Sequence, residues 1–268
     1  MTTTRWRRLL ITGAAGRLGS HLRSDLRDLA EHVRATDLRA LPPATEGEEV
    51  VQADLSDMAA VHALLEGVDA VVHLGAVMPQ APWEAVLQAN IIGSFNVFEA
   101  ARQAGAKRIV FASSHHAIGM YDRSQPLDSG APPRPGNLYG LSKAFGENLA
   151  RMYHDKHGIE VACLRIGSCF EQPTDERMLS TWLSHADMVQ LCRRCLVAPA
   201  VGYSVVYGVS ANSRSWWSND KVDFLGFAPQ DSADAYAQDI AHAGVPASAP
   251  LSARAAHLQG GRFTDLIP

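Results

Sequence analysis

Through its first two-thirds the chain alternates short apolar runs with longer stretches in which apolar residues recur at helical spacing, and few folds accept that order. Arg8–Thr12 (RLLIT) is a short apolar run that enters glycines, and Leu18–Leu29 has helical spacing. His32–Asp37 reads as a strand ending in an acid, Glu49–Asp54 as another strand and Met58–Leu65 as a helix. Ala70–Leu74 (AVVHL) is a buried strand, Trp83–Ala104 a long helix and Arg108–Ser113 (RIVFAS) a strand. Leu138–His154 is a helix and Glu160–Ile166 a strand. Strands separated by helices of this length require right-handed crossovers, which lay the strands parallel and cover both faces of the sheet. The expectation is an α/β fold, the doubly wound parallel sheet of Rossmann type that binds dinucleotides.

After Ile166 the pattern loosens. A helix is expected over Met178–Val197 and a short strand over Val205–Val209, then a compact irregular region around Trp216, Trp217 and the run FLGFAP. A last helix is expected over Ala233–His242, and the Ala/Pro-rich Val245–Pro250 reads as a surface connection. One integrated domain follows. Residues 1–166 are mainly the dinucleotide-binding core and 167–268 mainly a small substrate-binding cap and tail.

Composition narrows the function. With 268 residues, 47% of them hydrophobic, the chain can bury one large or two modest cores. A formal net charge of -4 leaves no basic surface for a polyanion, so nucleic acid is not an expected partner. Cys163, Cys169, Cys192 and Cys195 lack the spacing of a disulfide framework, which suggests a reducing compartment. Cys192 and Cys195 form a lone CxxC whose plain reading is two thiols on one helix face. The basic then apolar start, Arg5 to Ile11, is too short before Gly13 for a signal peptide and reads as the first strand. No apolar stretch has the length of a membrane span, so the expected location is the cytoplasm.

Gly13-Ala14-Ala15-Gly16-Arg17-Leu18-Gly19 is a GxxGxxG loop at the strand-to-helix junction. Glycine is needed where backbone turns tightly and approaches a pyrophosphate, and the helix that starts there offers free N–H groups and a positive dipole end. A bare tight turn is the plain alternative. Asp37, with Leu38 beside it, ends the second strand, where a carboxylate accepts hydrogen bonds from the adenosine ribose and repels a 2′-phosphate. NAD is therefore expected rather than NADP, although Arg39 is close enough to admit a phosphate. Asp54 and Leu55 could hold the adenine edge, or Asp54 could cap the helix at Met58. Leu74, Gly75 and Ala76 end the fourth strand, where small residues let the backbone pass the cofactor, while His73 reads as a packed core histidine. Ser113 and Ser114 close the fifth strand, at the carboxyl edge where open α/β sheets bind ligands. His115 and His116 follow, suited to hydrogen-bonding a polar substrate and without metal-ligand spacing.

Tyr139 and Lys143 are i and i+4 on one helix face. A nearby ammonium favours phenolate and is expected to lower the tyrosine pKa, making Tyr139 a general base. Together these motifs resemble the extended branch of the short-chain dehydrogenase/reductase superfamily, with GxxGxxG and YxxxK. The strings LLITGAAGRLG, NIIGSFNVFEAAR, RIVFASSHHAIG, LYGLSKAFGENLARMY, LRIGSC and RMLSTWLSHADMV resemble, more narrowly, NAD-dependent uronate dehydrogenases, with a weaker echo in LQGGRF.

The resemblance implies oxidation of the anomeric carbon of galacturonate or glucuronate to an aldaro-lactone. It implies Tyr139 as base, Lys143 holding the nicotinamide ribose, and Ser114 orienting the sugar. It implies Arg177 on the substrate carboxylate, with Ser168, His115 and His116 nearby. It adds Asn90, Ile166 and Cys169 to the cofactor set already named. Two positions depart from the family pattern. Met78 stands where serine is expected, and Ser114-His115-His116 stands where Ser-Asn-His is expected. Arg177 suits a small anion because its fork binds a carboxylate at two points. The plain alternative is a surface ion pair with Asp175 or Glu176. The short region after Ile166 suits a monosaccharide better than a nucleotide sugar. A nucleotide-sugar epimerase or dehydratase, or a non-catalytic NAD-binding regulator, is the rival. The resemblance also implies a homo-oligomer paired through the long helices.

Overall fold

The computed structural model describes residues 6–243 and 252–266. β1 (Trp6–Thr12) enters the glycine loop and α1 (Arg17–Asp25), then come β2 (Ala30–Asp37) and β3 (Glu48–Gln52). α2 (Met58–Leu65) returns to β4 (Ala70–His73), and α3 (Trp83–Ala85) runs through a π-helical stretch, Val86–Ile92, into α4 (Gly93–Ala104). β5 (Arg108–Ser114), the two-residue β6 (Leu127–Asp128), α5 (Leu138–His157) and β7 (Glu160–Ile166) follow. One sheet of seven parallel strands results, in the order β10-β7-β5-β4-β1-β2-β3, where β10 is Tyr203–Gly208. The order reverses between β1 and β4, and in such sheets the ligand cleft opens beyond the strand ends at that point.

Both faces of the sheet are dry, as a parallel sheet requires. Leu9, Ile11, Val72, Val110 and Leu164 face a core completed by α1 and by α7 (His185–Val197). Their strand neighbours Leu10, Val71, Ile109, Phe111 and Val161 face a core completed by α2, α4 and α5. Arg108 closes the sheet end by donating to the carbonyls of Cys195, Leu196 and Ala198, which satisfies two of the last acceptors of α7 and its C-cap. The helix that carries the site lies unusually close to the sheet. A Cβ on Gly146 would sit 2.2 Å from the Phe111 ring, and one on Gly140 would sit 2.2 Å from the carbonyl oxygen of His116. Those two absences of a side chain bring α5 down onto the end of β5.

Several elements differ from the sequence pattern. The expected helix over Met178–Val197 is broken into α6 (Met178–Thr181), the extended pair β9 (Trp182–Leu183) and α7. Ser184 accepts from the Asp187 N–H at 3.0 Å and so starts a new helix, while β9 pairs with β8 (Ser168–Cys169). Capping and pairing outweigh a continuous apolar stripe. The helix expected to reach Leu29 stops at Asp25 and tightens to a 3₁₀ turn, Arg27–Leu29. The segment Ala233–His242 is a 3₁₀ turn followed by α8 (Ala237–Ala243), and it is not the last helix, since α9 (Ala253–His257) follows. Val245–Pro250 falls outside the described residues. β11 (Trp217–Ser218) pairs with β6, so the loop between β5 and α5 packs with the C-terminal region rather than with the sheet.

Candidate active site

The glycine loop sits at the mouth of the switch point. Gly13 has φ +68°, a left-handed conformation, and an added Cβ would lie 2.7 Å from the Gly75 nitrogen. Backbone here passes against backbone. Thr12 Oγ1 accepts from the N–H groups of Leu74 and Gly75 at 3.2 Å each, which pins the end of β4 to that of β1. α1 begins at Gly16 with no side-chain cap, so its first-turn donors, on Arg17 and Leu18, point outward uncovered by a side chain. Arg17 lies over the Phe170 ring at 4.0 Å. Asp37 is held by the N–H of Ala15 (2.9 Å) and of Arg39 (2.9 Å), so its carboxylate has one orientation, beside a cavity of about 340 Å³ lined by Ala14, Ala15 and Arg39. Leu38 is exposed next to it. Asp54 turns one oxygen to the Ser56 N–H, and the cap of α2 falls to Asp57 instead. Leu55 packs beside Gly75 and Gly93. An uncapped helix start, backbone that no side chain obstructs and an oriented carboxylate together fit a dinucleotide.

Toward the catalytic end, Asn90 lies in the π-helical stretch. Its side chain accepts from the Val77 N–H (2.8 Å) and donates to Ser142 Oγ (2.9 Å), whose hydroxyl donates to the Tyr139 carbonyl (2.7 Å). His73 is buried between Thr12 Oγ1 (2.7 Å) and Ser94 Oγ (3.2 Å), and burial pushes its pKa down to about 3: the packed core histidine the sequence suggests. Ser113 and Ser114 diverge. The Ser113 hydroxyl donates to Glu147 at 2.6 Å and belongs to a buried cluster with Arg165, so its side chain is not available to a ligand. Ser114 Oγ accepts from the His116 N–H at 3.1 Å and lies near enough to the Tyr139 hydroxyl to draw its pKa down. Cys169 is likewise buried in the apolar core, its thiol pushed up to about 12 by burial, and Ile166 packs in the same cluster.

Tyr139 and Lys143 share a face as expected, with Nζ 5.4 Å from the phenol ring centre. The expected lowering of the tyrosine pKa is not found. Burial dominates, pushing Tyr139 up to about 12 against the opposing hydrogen bond from Ser114. Burial also brings Lys143, 4% exposed, down to about 7. The pair is poised for charge rather than already charged.

On the opposite wall, the ring of His115 has Nδ1 2.9 Å from the Ile166 carbonyl, which makes Nδ1 the protonated nitrogen and leaves Nε2 a buried acceptor without a protein partner. Burial pushes His115 down to about 3 and His116 well below its ordinary value. The His116 ring meets Tyr139 at 5.9 Å and Phe263 at 4.9 Å. Arg177 forms no ion pair with Asp175 or Glu176. Its Nε and Nη2 donate to the Gln259 carbonyl, and Nη1 lies 3.5 Å from both Ser168 Oγ and Thr181 Oγ1. Burial first, and Arg123 second, bring its pKa down to about 10. Met78 is 62% exposed on the loop after β4 and brings no hydrogen-bonding hydroxyl there. Sequence reasoning missed Asn137, Trp217, Gln259 and Phe263. Asn137 caps α5 through Gly140 and donates to the Phe263 carbonyl, while Trp217 stacks on His115 at 5.7 Å. The echo in LQGGRF was the one signal for the last two.

Residues 9–214 match the NAD dependent epimerase/dehydratase family. A uronate dehydrogenase of Pseudomonas putida is 48% identical over 269 residues, covering 100% of this chain and 99% of that one. The chain belongs to the uronate dehydrogenases of this family. The uronate dehydrogenase of Agrobacterium fabrum is 50% identical, with 97% of each chain covered. Among solved structures, a mutant uronate dehydrogenase from Agrobacterium tumefaciens complexed with NAD superposes with a TM-score of 0.92 at 49% identity, covering 97% of this chain and 98% of that one. The doubly wound parallel sheet is thus the fold of the family as well as of this chain.

Proposed function

We propose that this chain oxidises the C1 hydroxyl of a hexuronate, D-galacturonate or D-glucuronate, to the aldaro-lactone with NAD as acceptor. The observation that carries the reading is the Tyr139 hydroxyl beside Ser114 and one helical turn from Lys143, with the His116 ring between it and an Arg177 that has no carboxylate partner among the described residues. In this reading the loop Gly13–Gly19 and Asp37 hold the two ends of NAD, which when bound accepts the C1 hydride. Leu38, Asp54, Leu55, Leu74, Gly75, Ala76 and Asn90 border it.

Ser114 orients the C1 hydroxyl toward Tyr139. Tyr139 takes the proton as phenolate, and positive charge beside it must offset the burial that raises its pKa. Lys143, whose pKa near 7 lets it charge in the physiological range, supplies part of that. Arg177 and Ser168 hold the carboxylate. His115 offers Nε2, and His116 its unpartnered Nδ1, to sugar hydroxyls. Residues 1–166 act mainly as the cofactor core and 167–268 mainly as the cap.

Among the described residues no helix is long and apolar enough to cross a membrane. Four buried free cysteines support a cytoplasmic setting. Exposed Phe95 on α4 and Leu141 and Met152 on α5 support assembly as a homo-oligomer through those helices. The test is NADH absorbance against sugar acids and their neutral parents. Production with galacturonate or glucuronate is expected; none with any sugar acid would overturn the reading and favour an epimerase or dehydratase that keeps its cofactor.

A further inference from the structure

Gln259 is completely buried, in a region otherwise short of regular structure, and every polar atom it has is engaged. Its Nε2 donates to the carbonyls of Asp122 (3.1 Å) and Gln125 (2.9 Å), and its Oε1 accepts from the indole N–H of Trp217 at 2.8 Å. Two carbonyls on one side and an N–H on the other allow the amide one orientation only. Its backbone N–H donates to the Tyr121 carbonyl at 2.8 Å, and its own carbonyl receives Nε and Nη2 of Arg177. The indole fixed by Oε1 stacks on His115 on one side of its contacts and on Tyr207, at 5.3 Å and 8°, on the other.

Arg177 and His115 come from different parts of the chain, and the Arg177 charge acts on His115. Gln259 meets Arg177 directly and His115 through the Trp217 indole. One edge of the Arg177 fork is spent on its carbonyl, so the direction of the remaining N–H groups, toward Ser168 and Thr181, is set by where that carbonyl sits. The peptide that carries the carbonyl is held by the Gly260 N–H on the Gly119 carbonyl, and the side-chain amide anchors the residue from the other side. A buried, fully satisfied polar hub of this kind specifies geometry, because any displacement strands several groups at once.

We infer that Gln259 is a positioning residue for the substrate pocket: it holds the Arg177 fork in one frame, braced by the Trp217 indole, and thereby sets recognition of the substrate carboxylate. The inference rests on the uronate reading of that pocket. It is tested by steady-state kinetics on Gln259→Leu, Arg177→Ala and the double variant, with galacturonate and with neutral galactose. Gln259→Leu is expected to raise the galacturonate KM about tenfold, in the range of a weakened charge-assisted hydrogen bond, with kcat and the KM for NAD within about threefold of wild type. Activity on galactose is expected to change little. The double variant is expected to match Arg177→Ala alone, because the two changes remove one interaction.

Additive effects, or equal losses with galacturonate, galactose and NAD, would overturn the inference and leave Gln259 a stability residue. Should Gln259→Leu fold poorly, Trp217→Phe breaks the same link from the other side while keeping a ring against His115; the same selective KM rise is expected, and an unchanged KM would overturn the inference. Failure of the uronate reading itself is a different result: wild type would then make no NADH from galacturonate.

Discussion

The two walls of the cleft are made in different ways. On the wall proposed for the cofactor the contacts fall largely to backbone: Gly13 to Leu18 in one loop, Leu74 to Ala76 at one strand end, and Asp37 clamped by the N–H groups of Ala15 and Arg39. On the wall proposed for the substrate, Ser114 to His116, Ser168, Arg177, Trp217, Gln259 and Phe263 arrive from five separate segments and are held largely by one another's side chains. A wall of backbone tolerates sequence change outside its glycines. A wall of mutually supporting side chains passes a substitution on to its neighbours.

This contrast can be broken or sharpened by experiment. Tyr139→Phe, at the seam between the walls, should lower kcat about a hundredfold or more, the scale of general-base catalysis, while NAD affinity by titration stays near wild type. A rate near wild type would remove Tyr139 from that role. Arg177→Ala should raise the uronate KM roughly tenfold to a hundredfold and leave neutral aldoses nearly unchanged, since a charge-assisted bidentate contact is worth about 1.5–3 kcal/mol; equal loss on both classes would refute the carboxylate clamp.

On the other wall, Asp37→Ala should shift the NAD-to-NADP preference by about tenfold in kcat/KM through removal of one carboxylate, with no change in uronate KM. Gly146→Ala should lower stability by about 1–3 kcal/mol, read as a fall of a few degrees in Tm, because the added methyl meets the Phe111 ring. The smallest expected effect is none. His115 and His116 carry pKa values held far below 6.5, so the uronate KM should be flat in any contribution from them between pH 6 and 9. Their cost falls on stability instead. The unfolded chain takes up protons below about 6.5 that the folded chain refuses until about 3 at His115, so denaturant midpoints should drop as pH falls through that window.

Legibility in the sequence follows the same division. The sheet, the glycine loop, Asp37 and the Tyr139/Lys143 face could be read because each is a local pattern with a fixed period or spacing. The break at Ser184 was harder to read, since the apolar stripe runs on through it and the Ser184 cap decides the matter only together with the pairing of Trp182–Leu183 with Ser168–Cys169. The sign of the Tyr139 shift was missed because helical spacing reports the neighbour and not the depth of burial. Ser113 and Ser114 are chemically identical, but they alternate on β5: Ser113 shares the α5 face with Ile109 and Phe111 and meets Glu147 there, while Ser114 points to the other face. Gln259 and Phe263 had no readable role because their partners are distant along the chain.

One consequence concerns biosynthesis. The sheet of this protein is complete once residue 208 has been made, and the nucleotide wall with it. Arg177 acquires its acceptor on Gln259, and Asn137 its acceptor on Phe263, only when those residues leave the ribosome. On the proposed assignment, the residues of the dinucleotide side of the cleft all precede, in the order of synthesis, the residues that fix Arg177 and Asn137 on the sugar side.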